Sequence, residues 1–451
     1  MLDPFRAPET APRLLSYLYE GLTRARDGVI EPALAVQWDV DPRLRTWTFH
    51  LRSGVRFHDG SALTASTVVA SVARLLTAPP HGVPRAERLE APDDSTVVIT
   101  LEAPFAALAA VLATLPAVIV RDTAAAPSTR AAVGTGPWKL LRWRPGVGFS
   151  LAANAAYWSG RPVEDSLVVR ARGSATVAAF HTGDVDAVSV ADSEVAAWMQ
   201  TDDGEANLRA AEPSRLWFVA INVNRPALRD PSVRRALNVA LDRAALIRQF
   251  TGGHGVAAAG VIPPPFAAAD SARIAFPFDT ALARRLLFRR RSADSLQLEL
   301  VAPETAPYAS LALAVARSLG GAGIAVHVVT LSPERLATRV AAGDADLVLG
   351  SWVSAYPDPD GSLFPLLHSA SRGSGGNASF YGSPEVDDLI RRARREPDDS
   401  ARASLARRAD AVAFGDSAMI LLYFTGELTA VQSWVSGFDD RDRWVHARLG
   451  R

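Results

Sequence analysis

Apolar positions recur at helical spacing where the chain opens. Leu14, Leu15, Leu18 and Leu22 share one face of a helix that Thr10 can cap, with Pro12 in its first turn and Tyr19-Glu20-Gly21 near its end. The period then changes to two. Trp47, Phe49 and Leu51 alternate with polar residues, and Ser53-Gly54 and Asp59-Gly60 supply turns around Val55 and Phe57, a pattern that predicts a small β-hairpin. A helix over 64–76 and strands over 96–101, 138–143 and 216–223 follow, the second of these strands introduced by Gly134-Thr135-Gly136-Pro137. Asp230 as cap and Pro231 at the first helical position start a helix with Val233, Leu237 and Leu241 inward. The stretch 224–229 before it reads as a passage between domains.

From there strands and helices alternate: a strand over 296–301, a helix over 308–319, a strand over 324–330, a helix ending at Ala342 and a strand at Leu347. That order predicts a βαβ domain. Helices over 384–394 and 400–414 precede a final strand over 420–424. The segment 343–360, GDADLVLGSWVSAYPDPD, is the most telling: the apolar run Leu347, Val348, Leu349 gives way to a loop bearing Trp352, Tyr356, Asp358 and Asp360. Ligands of open α/β sheets sit beyond the carboxyl ends of strands, so this loop reads as one wall of a ligand cleft. Residues 183–190, GDVDAVSV, repeat the Gly-Asp-x-Asp-apolar signature in the other half of the chain, as two lobes of similar construction would.

Composition narrows the function classes. A chain of 451 residues exceeds what one core sustains and implies two or three domains. Lys+Arg and Asp+Glu are each 48, so no global field draws the protein onto nucleic acid or an anionic membrane. Lys139 is the sole lysine, which reads as a coding bias rather than chemistry. With no cysteine there is no disulfide, thiolate metal site or Cys nucleophile. The uncharged run 103–120, interrupted by Pro104 and Pro116, is expected as a buried helix followed by a strand rather than a membrane span.

Catalytic and cofactor motifs are missing from the sequence. Pro137-Trp138 after Gly134-Thr135-Gly136 cannot open a helix as a dinucleotide fingerprint requires, and a tight turn is the better reading. The eight histidines are scattered, without metal-ligand spacing, and are expected mostly at the surface or in turns. Hydrolase chemistry lacks a Gly-x-Ser-x-Gly elbow. No cofactor and no metal site is expected. Trp352 and Tyr356 are read as pocket lining over core aromatics, while Asp358 and Asp360, flanking Pro359, fit turn and cap roles as well as ligand contact.

Several motifs occur in a familiar order: Leu2-Asp3-Pro4, Tyr19-Glu20-Gly21-Leu22, Phe57-His58-Asp59-Gly60, Gly134-Thr135-Gly136-Pro137, Asn154 with Tyr157-Trp158, Arg234-Arg235-Ala236-Leu237-Asn238, Leu241-Asp242-Arg243 and Trp352 with Tyr356-Pro357-Asp358-Pro359-Asp360. This series resembles the solute-binding proteins of peptide and nickel ABC transporters, family 5. The resemblance implies an α/β, two-lobed, periplasmic-binding-protein-like clamp of type II, with mixed sheets flanked by helices and an extra inserted subdomain. Lobe I would hold 1–37, 134–226 and 426–451, with 38–133 inserted in it, and lobe II 227–425. The implied function is non-enzymatic: capture of a peptide-like or other small solute by hinge closure and delivery to a membrane permease with its ATPase, by a monomer. Competing readings are a ligand-sensing module without transport, and a hydrolase or metalloenzyme. Such proteins are periplasmic or anchored outside the cytoplasmic membrane, and the chain reads as starting at the first mature-domain motif with its export segment cut away. Ligand contact is implied for Glu20, Gly21, Leu22, Trp217, Trp352, Ser354, Ala355, Tyr356 and Asp358. In peptide-binding relatives the position three residues after the loop Trp is commonly an Asp that receives the peptide ammonium; here it is Ala355, which argues against a free-amine peptide held in that way unless Asp358 or Glu20 takes over.

Overall fold

A computed structural model describes residues 12–121, 132–171, 174–191, 194–201, 204–288, 296–439 and 444–450. The chain forms two compact units, Met1–Ser189 with Ala206–Arg209 and Thr429–Arg451, and Val190–Glu205 with Ala210–Leu428.

In the first unit the helix Pro12–Leu18 buries Leu14, Leu15 and Leu18 as its spacing requires. It stops four residues short of Leu22, which is fully buried in the segment that follows; Thr10 lies outside the described residues. The helix Ala65–Leu76 after Thr64 and the strand Thr96–Leu101 stand where expected. Trp47, Phe49 and Leu51 point inward from the strand Thr46–Leu51, but its hairpin partner is the preceding strand Ala35–Val40, not 55–57. The cause is Asp41, whose Oδ1 accepts from the backbone N–H groups of Arg45 and Thr46 at 2.7 and 2.8 Å and closes the turn between those strands. Val55 and Phe57 sit instead in a loop closed by a bridge between Arg56 and Ala62. The resulting antiparallel sheet has the order Ala35–Val40, Thr46–Leu51, Thr96–Leu101, Ala86–Asp93. The run 103–120 carries the short buried helix Leu108–Val111 and a 3-10 turn, Leu115–Ala117, with no strand after it. Among the described residues no helix is long and apolar enough to cross a membrane.

The second unit is built on a six-stranded sheet in the order Val256–Ala257, Met419–Thr425, Arg215–Ile221, Leu347–Val353, Gln297–Pro303, Ala325–Leu331. Gln297–Pro303 runs parallel to both of its neighbours, with the helices Tyr308–Gly321 and Pro333–Ala342 as crossovers, which is the expected βαβ pattern. Arg215–Ile221 is buried on both faces: Leu216, Phe218 and Ala220 join one core, Trp217, Val219 and Ile221 the other. Burial on both sides explains its unbroken apolar run. Because this strand is central to the second unit, the chain has already entered that unit before 224–229. Asp230 accepts from the N–H of Ser232 and caps the helix Pro231–Val239. Helices Pro384–Ala393 and Asp399–Gly415 precede Met419–Thr425, which is not the last strand, since Leu428–Val431, Val435–Ser436 and Arg448–Leu449 follow.

The Arg-Arg-Ala-Leu-Asn and Leu-Asp-Arg motifs serve this packing. Arg234 donates to the carbonyls of Leu228, Arg229 and Asp416, and Arg243 to those of Leu421, Asn238 and Phe276. Burial lowers the Arg243 pKa to about 10, still high enough to keep the guanidinium charged at neutral pH.

Candidate functional site

In the second unit, the strand Leu347–Val353 ends two residues later than a loop beginning at Trp352 would require. Trp352 is therefore a strand residue, half-buried, whose indole N–H donates to the Gly361 carbonyl at 3.0 Å. The turn after it is tied down from inside. Ser354 Oγ donates to the Tyr356 carbonyl at 2.8 Å, and Tyr356, only 2% exposed, donates its hydroxyl to Asp360 Oδ2 at 2.5 Å. Asp360 pairs with Arg394 at 3.2 Å, Asp358 pairs with Arg402, and Asp358 Oδ1 caps the Asp360 N–H at 2.9 Å. Burial pushes the Asp360 carboxyl upward against the pull of Arg394, and burial with the neighbouring Asp360 raises the Tyr356 phenol well above its usual value. Tyr356 and Asp358 thus stand in the loop's internal framework, while Val353 and Ala355 are exposed and Trp352 and Ser354 are partly so.

The antiparallel register sets Arg215 opposite Val353, Leu216 opposite Trp352 and Trp217 opposite Ser351. Trp217 is 4% exposed; its indole donates to Thr425 Oγ1 at 3.1 Å and its ring lies 5.1 Å from that of Tyr308. Tyr308 OH and Ser351 Oγ are 2.8 Å apart, and the exposed Arg215 reaches Ser351 Oγ at 3.4 Å. These three polar residues escaped the sequence reading because each stands alone in its segment; only the strand register assembles them.

In the first unit, Glu20 is buried and accepts three side-chain hydrogen bonds, from Tyr157 OH at 2.8 Å on Oε1 and from Thr135 Oγ1 and the Trp158 indole at 2.9 Å each on Oε2. A Cβ on Gly21 would stand 2.3 Å from the Leu112 carbonyl oxygen, so glycine is needed for that approach, and Leu22 is core. A cavity of about 300 Å³ borders the patch, lined among others by Tyr19, Glu20, Gly21, Arg24, Tyr157 and His446. Gly134 and Gly136 serve close approach rather than a left-handed turn: a Cβ on either would fall 2.0 Å from Leu18 O or 2.5 Å from Tyr17 O. His58 braces the same bend, its Nε2 3.0 Å from Gly136 O and its Nδ1 accepting from Gly134 N at 3.3 Å, and burial lowers its pKa. His58 stands in a turn, as expected of most of the histidines, although partly buried, whereas His368 is buried outside any turn.

Of the nine residues marked as ligand contacts, Glu20, Gly21 and Leu22 belong to the first unit. The other six belong to the second, where Trp352, Ser354, Ala355, Tyr356 and Asp358 share one turn and Trp217 lies on the adjoining strand. Among the described residues no group of three or more His, Cys, Asp or Glu side chains could hold a metal ion.

Residues 29–374 match the model of bacterial extracellular solute-binding proteins, family 5. The probable D,D-dipeptide-binding periplasmic protein DdpA of Escherichia coli K12 is 27% identical over 442 residues, spanning 94% of this chain and 85% of that protein. Protein XP55 of Streptomyces lividans is 31% identical over 437 residues, 89% of this chain and 78% of the relative. Among solved structures, NikA from Brucella suis in complex with Fe(III)-EDTA superposes with a TM-score of 0.87 at 22% identity, covering 99% of this chain and 97% of that one. The last likeness shows the fold, an α/β binding-protein fold of the two-lobed class.

Proposed function

The chain belongs to the bacterial extracellular solute-binding proteins of family 5, and on that premise we propose that it captures a solute lacking a free ammonium group at the end held by the 352–356 segment. The family's members are the substrate-binding components of ABC importers for peptides, nickel and other solutes, and this chain is one of them. We extend that to a monomer working outside the cytoplasmic membrane, returning its solute chemically unchanged to a permease driven by its ATPase. Trp352, Ser354 and Ala355 are the marked residues in the second unit with surface left for a ligand. Glu20, Gly21, Leu22, Trp217, Tyr356 and Asp358 then act by shaping and stiffening what surrounds the ligand.

Ala355 carries the ligand assignment. A methyl occupies the exposed position at which peptide-binding relatives commonly present a carboxylate, and the two acids able to substitute are committed: Asp358 to Arg402, Glu20 to Tyr157, Thr135 and Trp158. An ammonium desolvated there would lack a partner. Blocked or cyclic peptides, glycosides and metal chelates meet this condition. Calorimetry of di- and tripeptides against their N-acetylated counterparts tests it: binding that survives acetylation is expected, and tight binding abolished by acetylation would show that another carboxylate receives the amine.

A further inference from the structure

Three donors converge where the second unit's sheet ends. Arg215 is the first residue of its strand, exposed, and opposite Val353. Its one polar side-chain contact among the described residues is Nη1 to Ser351 Oγ at 3.4 Å. The nearby arginines differ, since Arg394 and Arg402 are paired with Asp360 and Asp358. Ser351 Oγ and Tyr308 OH, 2.8 Å apart, share one hydrogen between them. Whichever hydroxyl donates, the hydrogen of the other stays available, so the cluster offers the guanidinium fork plus one hydroxyl donor. No carboxylate pairs with any of the three among the described residues. Gln297–Pro303 and Leu347–Val353 are parallel, and the helix Tyr308–Gly321 begins just beyond the carboxyl end of the first, so its positive end lies on this side of the sheet.

We propose that Arg215, Ser351 and Tyr308 form a subsite that receives a carboxylate of the solute. The inference rests on the reading that the second unit holds the solute near Trp352 and Ala355, and adds the group by which it is recognised. A planar guanidinium presents two parallel N–H donors at the spacing of carboxylate oxygens, and such charge-assisted bonds are about twice as strong as neutral ones. An exposed methyl at Ala355, two residues beyond the Val353 that faces Arg215 and its guanidinium, without a carboxylate partner among the described residues, inverts the charge preference of an acid at that position: the wall selects an anionic end over a cationic one.

The test is calorimetry of the wild-type chain, R215A and S351A with N-acetyl-Ala-Ala and N-acetyl-Ala-Ala-amide, in both L,L and D,D forms. On the wild type the acid is expected to bind about ten-fold or more tightly than the amide, which corresponds to one charged hydrogen-bonded contact. In R215A that gap should close by weakening of the acid alone, with the melting temperature unchanged because Arg215 is exposed. S351A should narrow the gap by about three-fold, as one lost neutral bond would. Equal binding of acid and amide by the wild type, or a gap that persists in R215A, overturns the carboxylate subsite and leaves solute capture standing. Binding of neither form, L or D, removes blocked peptides from the solute class and overturns the subsite as the seat of a peptide carboxylate, with glycosides and chelates left to the proposed function.

Discussion

At the scale of single residues, burial separates side chains that could meet a solute from those that build the wall. Trp217 and Trp352 lie on neighbouring strands, one register position apart, yet the first is 4% exposed and hydrogen-bonded to Thr425 while the second is only half-buried. W217A should therefore lower unfolding stability by about 3–5 kcal/mol in denaturant titrations, as large aromatic-to-alanine changes in cores do. W352A should instead weaken solute binding about ten-fold with a smaller stability loss, because it removes stacking area that is partly free. Reversal of the two outcomes would make Trp352 a core aromatic. His58 gives a pH signature. Burial depresses its folded pKa below the usual value of about 6.5, so the unfolded chain binds the proton more readily. The stability that neutral His58 contributes is full above that value and is lost as pH falls from there toward the folded pKa. The drop in melting temperature between pH 7.5 and pH 5.5 should accordingly be smaller in H58N than in the wild type; an equal drop would mean that the ring stays unprotonated in both states or protonates equally in both.

Among the elements, the segment 354–360 is held by two ion pairs to the helices packed against it, Asp358 with Arg402 on the helix Asp399–Gly415 and Asp360 with Arg394 at the end of the helix Pro384–Ala393. Removing Arg402 leaves a buried carboxylate without its cation, a loss of about 3 kcal/mol at the lower end for such pairs because Arg402 is partly exposed. R402A should speed amide exchange at 354–362 more than within the Asp399–Gly415 helix; uniform acceleration would mean that the pair supports the unit as a whole rather than the turn. The βαβ run over 297–353 was legible because apolar strands and amphipathic crossover helices differ in period, and the Asp230-Pro231 helix start because capping is local chemistry. The Gly-Asp-x-Asp repeat also has a local cause: Gly183 and Gly343 each adopt positive φ after a helix and before a strand, at 78° and 65°. The hairpin assigned to 47–57 missed because Asp41 closes a turn with backbone N–H groups, a bond with no signature in apolar spacing. The candidate wall was less legible still. Motif order pointed to the turn after Trp352, but whether Tyr356 faces solvent or core depends on Asp360 and Arg394, and the Arg215, Ser351 and Tyr308 cluster exists only through strand register.

At the scale of the whole molecule, the recognisable motifs of this family 5 solute-binding protein largely serve packing: Glu20 anchors Tyr157, Trp158 and Thr135, and Arg234 and Arg243 bind carbonyls of their own unit. On the proposed reading, few side chains are left to discriminate solutes, among them Ala355 and the guanidinium of Arg215 on the adjoining strand. A ligand that binds the folded chain alone raises its stability by about 2.7 kcal/mol at one hundred times its dissociation constant, a shift large enough to read in thermal unfolding. The most direct measurement is a thermal-unfolding titration over N-acetylated peptides, glycosides and metal chelates, followed by mass analysis of the solute recovered from the chain. A saturable rise in melting temperature is expected for at least one carboxylate-bearing solute, recovered intact and in stoichiometric amount. A solute converted to product during the incubation would contradict capture without turnover.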